Sequence, residues 1–296
     1  MVLRSRAPVR IDFAGGTTDL KTFRDREVGA VLSGAVARYA YCTLVEHPNG
    51  LGIDADDLQE YIEATHIREI EQKSSLQLLT LAIRRFGIDA GVAIKVRTDA
   101  PPGSGTGSSA SVGVALLALL EHRRAVIMNA RDRLSRYELA EMACGLENEM
   151  GIVGGKQDQY AAAVGGINYM EFHGDQVFVE RIEVSPALVA DLEKHLVLCY
   201  SGQSRLSGDT NTRMLTAYES GEPTVTEAMR TVKRVAQEGA RALRSQDMRR
   251  FADLMNEEYE ARSRLAVGVL TEPMADLVAV ARSAGAVAAK ICGAGG

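Results

Sequence analysis

Three short stretches of this chain carry residue types that could handle phosphate. The most distinctive is Ala100-Pro101-Pro102-Gly103-Ser104-Gly105-Thr106-Gly107-Ser108-Ser109-Ala110-Ser111, which runs directly into the apolar segment Val112–Leu120. Glycine at every second position lets a backbone fold tightly with its N–H groups turned inward. The serines that follow stand where they cap a helix and present its positive end. The stretch Pro102, Gly103, Ser104, Gly105, Thr106, Gly107, Ser108, Ser109 and Ala110 therefore reads as an anion cradle. Rival motifs fail on residue identity. A Walker A loop needs a lysine after Gly107, and a GxGxxG fingerprint starting at Gly103 needs glycine at Ser108. A GxSxG hydrolase elbow fails because Ala110 follows Ser108 by two residues and Thr106 follows Ser104 by two. A flexible linker is the bland alternative, but linkers do not carry two prolines on one flank and an apolar helix on the other.

The second stretch is Gly155-Lys156-Gln157-Asp158-Gln159-Tyr160. Transfer of a phosphoryl group to a sugar hydroxyl needs a carboxylate to take the proton and a cation to steady the moving charge, and Asp158 with Lys156 or Arg10 supplies both. Alone, such a stretch is more often a solvated turn. Glu147 lies on a helix face shared with Ala140 and Ala143, where small neighbours let a carboxylate approach Mg2+, an ion that takes oxygen ligands and keeps several waters. Glu149 is the alternative, and a solvated helix face is the ordinary reading of either. The five histidines are scattered and offer no transition-metal site.

The elements that must position these residues follow from periodicity. Val9–Ala14 alternates apolar and polar residues before Gly15-Gly16, which predicts a strand with Arg10 and Asp12 on one face. Ala35–Val45 and Val92–Val96 read as further strands. Leu76 to Phe86, Val112–Leu120 and Tyr137–Met150 show helical spacing, the last ending at Gly151. A short Ala-rich segment, Gln157–Val164, precedes a hairpin of Ile167–Phe172 with Val177–Ile182. A domain boundary is expected within Val184–Leu192, dividing 1–184 from 185–296. Beyond it the pattern predicts a strand at His195–Tyr200, helices at Thr224–Leu243, Met248–Leu265 and Met274–Ser283, and a last strand at Ala286–Cys292.

The 296 residues are 46% hydrophobic and 25% charged, which excludes general disorder and leaves ample apolar material for a core. A net charge of −5 gives no basic field for a nucleic-acid backbone. No stretch is long and apolar enough for a membrane span and no signal-like segment opens the chain, so the expectation is a cytoplasmic protein with no nucleic-acid or membrane partner. Cys42, Cys144, Cys199 and Cys292 lie far apart in apolar surroundings, as reduced core thiols do.

Taken together, Ala7-Pro8-Val9-Arg10-Ile11-Asp12-Phe13-Ala14-Gly15-Gly16-Thr17-Thr18-Asp19-Leu20, the loop Pro102 to Ala110, and Lys290-Ile291-Cys292-Gly293-Ala294-Gly295-Gly296 resemble the three ordered motifs of the GHMP kinases. The Ala-Gly-Gly-Thr-Thr-Asp form of the first motif, the Gly-Gly-Lys-Gln-Asp-Gln-Tyr segment and Tyr200-Ser201-Gly202-Gln203-Ser204-Arg205 are most similar to the heptose 7-phosphate 1-kinase branch. The resemblance implies a two-domain α+β fold, with an N-terminal domain like ribosomal protein S5 domain 2 and a ferredoxin-like C-terminal domain. It implies ATP and Mg2+, a sugar-phosphate acceptor and transfer to the anomeric hydroxyl, by a monomer or homodimer. By the same resemblance Asp158 is the general base, or at least orients the anomeric hydroxyl, Arg10 lies beside it, and Gly16, Thr17, Asp19 and Gly202 bind the acceptor. Ser109 and Glu147 hold the magnesium. Arg205 is expected on the acceptor's distal phosphate, with Arg38 and Lys156 as alternatives. A plain sugar 1-kinase of the galactokinase or fucokinase type, a decarboxylase of the same superfamily and a catalytically inactive ligand-binding regulator are the competing readings. Thr106 departs from the leucine usual in the loop motif. The glycine run at 293–296 is expected to continue into further chain.

Overall fold

The computed structural model describes residues 1–71, 75–202 and 207–295. Two long strands, β1 (Val2–Ala14) and β2 (Gly29–His47), pair antiparallel over most of their length and form the spine of a seven-stranded sheet. β3 (Leu51–Ala55), β4 (Glu60–Ala64), β5 (Gly91–Thr98), β6 (Ile167–His173) and β7 (Gln176–Arg181) complete it in the order β4-β3-β5-β2-β6-β7, with β1 on β2. β2 serves three partners because it is long enough to divide its edge. Ala40–His47 pairs with β5 and Gly29–Gly34 with β6. β3 and β5 run parallel.

The β1–β2 register slips between Pro8, opposite Tyr39, and Arg10, opposite Ala35. Such a bulge re-aims the residues beside it and releases ladder groups. Here the Arg10 N–H leaves the ladder and donates to the Thr106 carbonyl at 3.1 Å, so the sheet defect is where the glycine loop docks.

One face of the sheet is covered by α2 (Gln77–Arg85), α3 (Ser108–Ile127), α4 (Arg136–Glu149) and α5 (Gln157–Val164). α3 is buried on most of its circumference, as a helix enclosed by a sheet and three other helices must be. α4 opens with a capping box in which the Ser135 hydroxyl accepts from the Glu138 N–H and the Glu138 carboxylate accepts from the Ser135 N–H. The other face packs Phe13, Ala14 and Leu32 against α8 (Pro223–Arg244) and α9 (Met248–Ser263), with Leu188 and Leu192 of α6 (Pro186–His195). Phe23 of α1 (Lys21–Arg24) joins α7 (Ser207–Glu219) and α8 in a separate cluster with Ile291. α10 (Glu272–Ser283) buries none of its residues.

Two expected strands are corrected. His195 ends α6, and 196–200 is irregular with Val197 83% exposed, so no apolar alternation is sheltered there. Residues 286–292 are also irregular. Where a neighbouring strand would bond them, Asn256 of α9 donates to the Val287 carbonyl and accepts from the Ala289 N–H. From residue 185 onward the described residues form five helices and no strand. The expected boundary region falls on α6, whose N-cap is Ser185. Of the cysteines, Cys42 and Cys144 are buried, with burial pushing the Cys42 thiol up to about 12, while Cys199 is exposed and Cys292 partly so. Among the described residues no helix is long and apolar enough to cross a membrane.

Candidate active site

Arg10 emerges from the sheet bulge into the protein interior, 4% exposed. Its Nε donates to Asp158 Oδ1 at 2.8 Å, Nη2 lies 2.6 Å from the same oxygen, and Nη1 donates to the Gly105 carbonyl. Burial alone would lower the Arg10 pKa, but Asp158 and Asp12 outweigh it and hold the guanidinium charged. Asp158 stands in the first turn of α5, where the helix dipole also favours an anion. One side chain thus ties a carboxylate to the backbone of the glycine loop.

The loop is held from both sides. Gly107 lies against the Asp158 carboxyl group. Gly105 has φ +74°, and a Cβ there would sit 2.6 Å from the Cys292 carbonyl, so glycine is required by conformation and by space. The Ser104 and Thr106 hydroxyls bond each other at 2.7 Å, and Ser111 Oγ donates to the Pro8 and Gly107 carbonyls. Helix α3 begins at Ser108, directly after Gly107 in left-handed conformation, and among the described residues no side chain caps it, so the expected serine cap is not made and its first N–H groups are left for another acceptor.

Glu147 on α4 reaches the same place. Ser109 Oγ donates to one of its oxygens at 3.2 Å and Gln159 Nε2 to the other at 2.7 Å. Among the described residues no ion pair reaches this carboxylate. Burial first and the Asp158 charge second push its pKa up to about 7, against which the two hydrogen bonds are insufficient. A carboxylate and a hydroxyl with no cation between them form a donor set suited to a hard divalent ion that draws its other ligands from phosphate and water. Among the described residues no cluster of three or more His, Cys, Asp or Glu forms a complete protein cage, which Mg2+ does not need. Bound there by Ser109 and Glu147, the ion would neutralise phosphate charge that no Walker lysine meets.

Asp19 is a second carboxylate that no cation pairs among the described residues. It is 1% exposed, accepts from the Gln157 N–H at 3.0 Å and from Gln157 Nε2 at 3.2 Å, and burial raises its pKa to about 6. Gly155 touches it so closely that a Cβ would fall 1.7 Å from its Oδ2. The turn before it is fixed by Thr18, whose hydroxyl donates to Gly15 and Ala30 carbonyls. Thr17 takes φ +81° and turns its buried hydroxyl to the Met229 sulfur, so it shapes this turn from the α8 side.

Lys156 does not join Asp158. Its ammonium is committed to both Glu141 oxygens at 2.8 and 2.9 Å and to the Asp175 carbonyl at 2.9 Å, with Tyr160 donating to the same carboxylate. Arg10 is the cation beside Asp158, and Lys156 holds α4, α5 and the β6–β7 turn together. Glu149 is also taken, paired with Arg85 away from Ser109. Gly202 forms an exposed bend with φ +79°, Arg38 is exposed on β2, and Arg205 lies outside the described residues. Gln157 and Gln159 carry no chemical signal in the sequence beyond flanking Asp158. Successive residues of a helix point about 100° apart, so this one short stretch serves Asp19, the Arg10 pair and Glu147 separately.

Comparison with known proteins agrees with this geometry. Residues 73–166 match the family model for the GHMP kinases N terminal domain and 240–296 that for GHMP kinases C terminal. A crystal structure of a D-glycero-D-manno-heptose 1-phosphate kinase from Bacteriodes thetaiotaomicron superposes on the whole chain with TM-score 0.76, at 31% identity, the match covering 86% of that chain. The chain belongs to the GHMP kinases. Within the family it is 28% identical over 99% of its length to D-glycero-alpha-D-manno-heptose 7-phosphate kinase of Campylobacter jejuni, spanning 86% of that protein. It is 25% identical over 87% of its length to the bifunctional fucokinase/GDP-fucose pyrophosphorylase of Arabidopsis thaliana, of which it spans 26%. A GHMP kinase is a phosphotransferase, and the glycine loop of this one lies between Asp158 and the Cys292–Gly293 segment.

Proposed function

We propose that this GHMP kinase transfers the γ-phosphoryl group of ATP, with Mg2+, to the anomeric C1 hydroxyl of a sugar phosphate, a heptose 7-phosphate or a related long-chain sugar phosphate. The observation that carries the reading is the Arg10–Asp158 pair set against Gly105 and Gly107, which supports a base and a cation at the edge of a phosphate-binding loop. Asp158 orients the acceptor hydroxyl and takes its proton as the bond to phosphorus forms. Arg10 stays charged and steadies that carboxylate and the incoming phosphate. The loop N–H groups and the start of α3 cradle the triphosphate, Ser109 and Glu147 hold Mg2+, and Asp19 fixes the sugar. The heptose-phosphate acceptor is supported by the two heptose-phosphate kinases among the relatives. We further assign 1–184 to the nucleotide-binding part, 185–296 to the second domain, and the acceptor's distal phosphate to Arg205.

The fucokinase relative favours a second reading, an acceptor without a phosphate. One experiment separates them: ADP release across free and terminally phosphorylated hexoses and heptoses, with phosphorus NMR locating the new ester. Phosphorylated heptoses should react about a hundredfold better in kcat/KM, since two charge-assisted hydrogen bonds to a phosphate are lost with a neutral sugar. Equal rates would reject the sugar-phosphate reading. No ADP release with any sugar would favour the inactive regulator.

A further inference from the structure

Behind the site lies a sealed group of four charges that the transfer chemistry does not use. Asp12 on β1, Glu258 and Arg262 on α9, and Lys290 have side chains at most 4% exposed. Lys290 Nζ lies 3.4 Å from both acids, Arg262 Nη2 lies 3.5 Å from Asp12 Oδ2, and Arg262 Nε donates to Glu258 Oε1 at 2.6 Å. The group is electrically balanced but imperfectly bonded, with Asp12 Oδ1, Glu258 Oε2 and Lys290 Nζ making no hydrogen bond among the described residues. A buried ion cluster of this kind is a poor source of stability, since apolar residues of equal volume often do as well.

What apolar residues could not do is reach two backbones at once. Arg262 Nη2 donates to the Gly16 carbonyl at 2.9 Å, and Nη1 donates to the Gly293 carbonyl at 2.9 Å. Gly16 opens the turn that delivers Asp19. Gly293 lies against the loop, so close that a Cβ on it would fall 2.9 Å from the Gly105 carbonyl. The planar fork of one guanidinium therefore sets the distance between the turn carrying Asp19 and the segment that backs the phosphate loop. The same cluster extends toward the reacting groups, because Asp12 shares a strand face with Arg10 and helps hold it charged.

We propose that Arg262 is a positioning residue for phosphoryl transfer, locking the Gly16 turn and the Gly293 segment into one register so that acceptor and nucleotide meet in line. The inference rests on the kinase reading above, and its test has one arm that needs no turnover. Arg262→Lys keeps the charge of the cluster and loses the fork. With both substrates saturating, its kcat should fall tenfold or more while the KM for ATP changes less than threefold and Tm stays within a few degrees. Amide exchange at 103–107 and 293–294 should quicken at least tenfold without a change in global exchange. A kcat within twofold of wild type, or unaltered exchange at those segments, overturns the proposal. Should wild type phosphorylate none of the sugars offered, the kinase reading fails and the exchange arm alone decides this one. The double variant Glu258→Leu/Arg262→Met removes one charge of each sign and keeps volume. It should show the same two losses if the fork positions the motifs, and full kcat with wild-type exchange if the cluster only fills space. It also decides the matter if Arg262→Lys does not fold.

Discussion

Glu147 offers a test that reads stability and function in opposite directions. Its folded pKa of about 7 stands above the ordinary 4.5. Between those values the folded protein binds more protons than the unfolded chain, so stability falls as pH rises from 4.5 to 7 and is flat beyond. At about 1.4 kcal/mol per pKa unit the ceiling is about 3 kcal/mol, and the partial exposure of the side chain brings it to roughly 1–2 kcal/mol. Glu147→Gln removes that cost at pH 8. The substitution can keep both hydrogen bonds, because Gln159 Oε1 is buried without a partner and can accept from the new amide once the Gln159 side chain flips. Without magnesium or nucleotide, the variant should melt roughly 2–3 °C above wild type at pH 8 and no higher at pH 4.5. With Mg2+ and ATP the order should reverse, and the variant should need more magnesium for any activity. Asp19, its pKa raised to about 6 by burial, has the same sign and contributes over an overlapping range, so the difference between Glu147→Gln and wild type is what isolates Glu147. Calorimetric melts at half-unit pH steps, with and without magnesium, make the measurement. A wild-type Tm that is flat from pH 5 to 8, or a variant no more stable at pH 8, would refute the account of this carboxylate.

Asp158→Asn should lower turnover by two or more orders of magnitude, about 3 kcal/mol of barrier, while ATP affinity measured by calorimetry stays near wild type. Gly105→Val should abolish nucleotide binding, because the side chain meets the Cys292 carbonyl at a positive φ; retained ATP binding would show that the loop does not need that approach. Gly155→Ala drives a methyl group into Asp19 and should raise the KM for the sugar at least tenfold with little change in the KM for ATP. Lys156→Met should cost Tm through the loss of its bonds to Glu141 and the Asp175 carbonyl, with kcat of the folded protein within about threefold of wild type; a hundredfold kcat loss would return Lys156 to the reacting groups.

Much of this site could be read in the residues because its parts are local. The glycine loop announces itself by alternation and by the helix that follows, and Arg10 and Asp12 share a face because strand residues alternate. Lys156 stands two residues before Asp158 in sequence, but at a helix start it turns away from it, and only the fold brings Glu141 within its reach. The strands expected at 195–200 and 286–292 were inferred from apolar content, which cannot report whether a neighbouring strand is there to bond. Arg262 carried no signal at all, since a lone arginine on an amphipathic helix reads as solvated until the partner motifs close over it.

The bond between the Arg10 N–H and Thr106, and the approach of Gly293 to Gly105, also govern the order of assembly. During synthesis Arg10 leaves the ribosome long before the loop it anchors, Asp158 follows later, and the segment backing Gly105 comes later still. The contacts that join the motifs to one another are thus long-range closures, which slow folding and leave the loop without its backing until they are made. A partly made chain holds the glycine loop without Asp158 beside it or Gly293 behind it. On the kinase reading proposed above, competence to transfer phosphate therefore arrives only with the last of these closures.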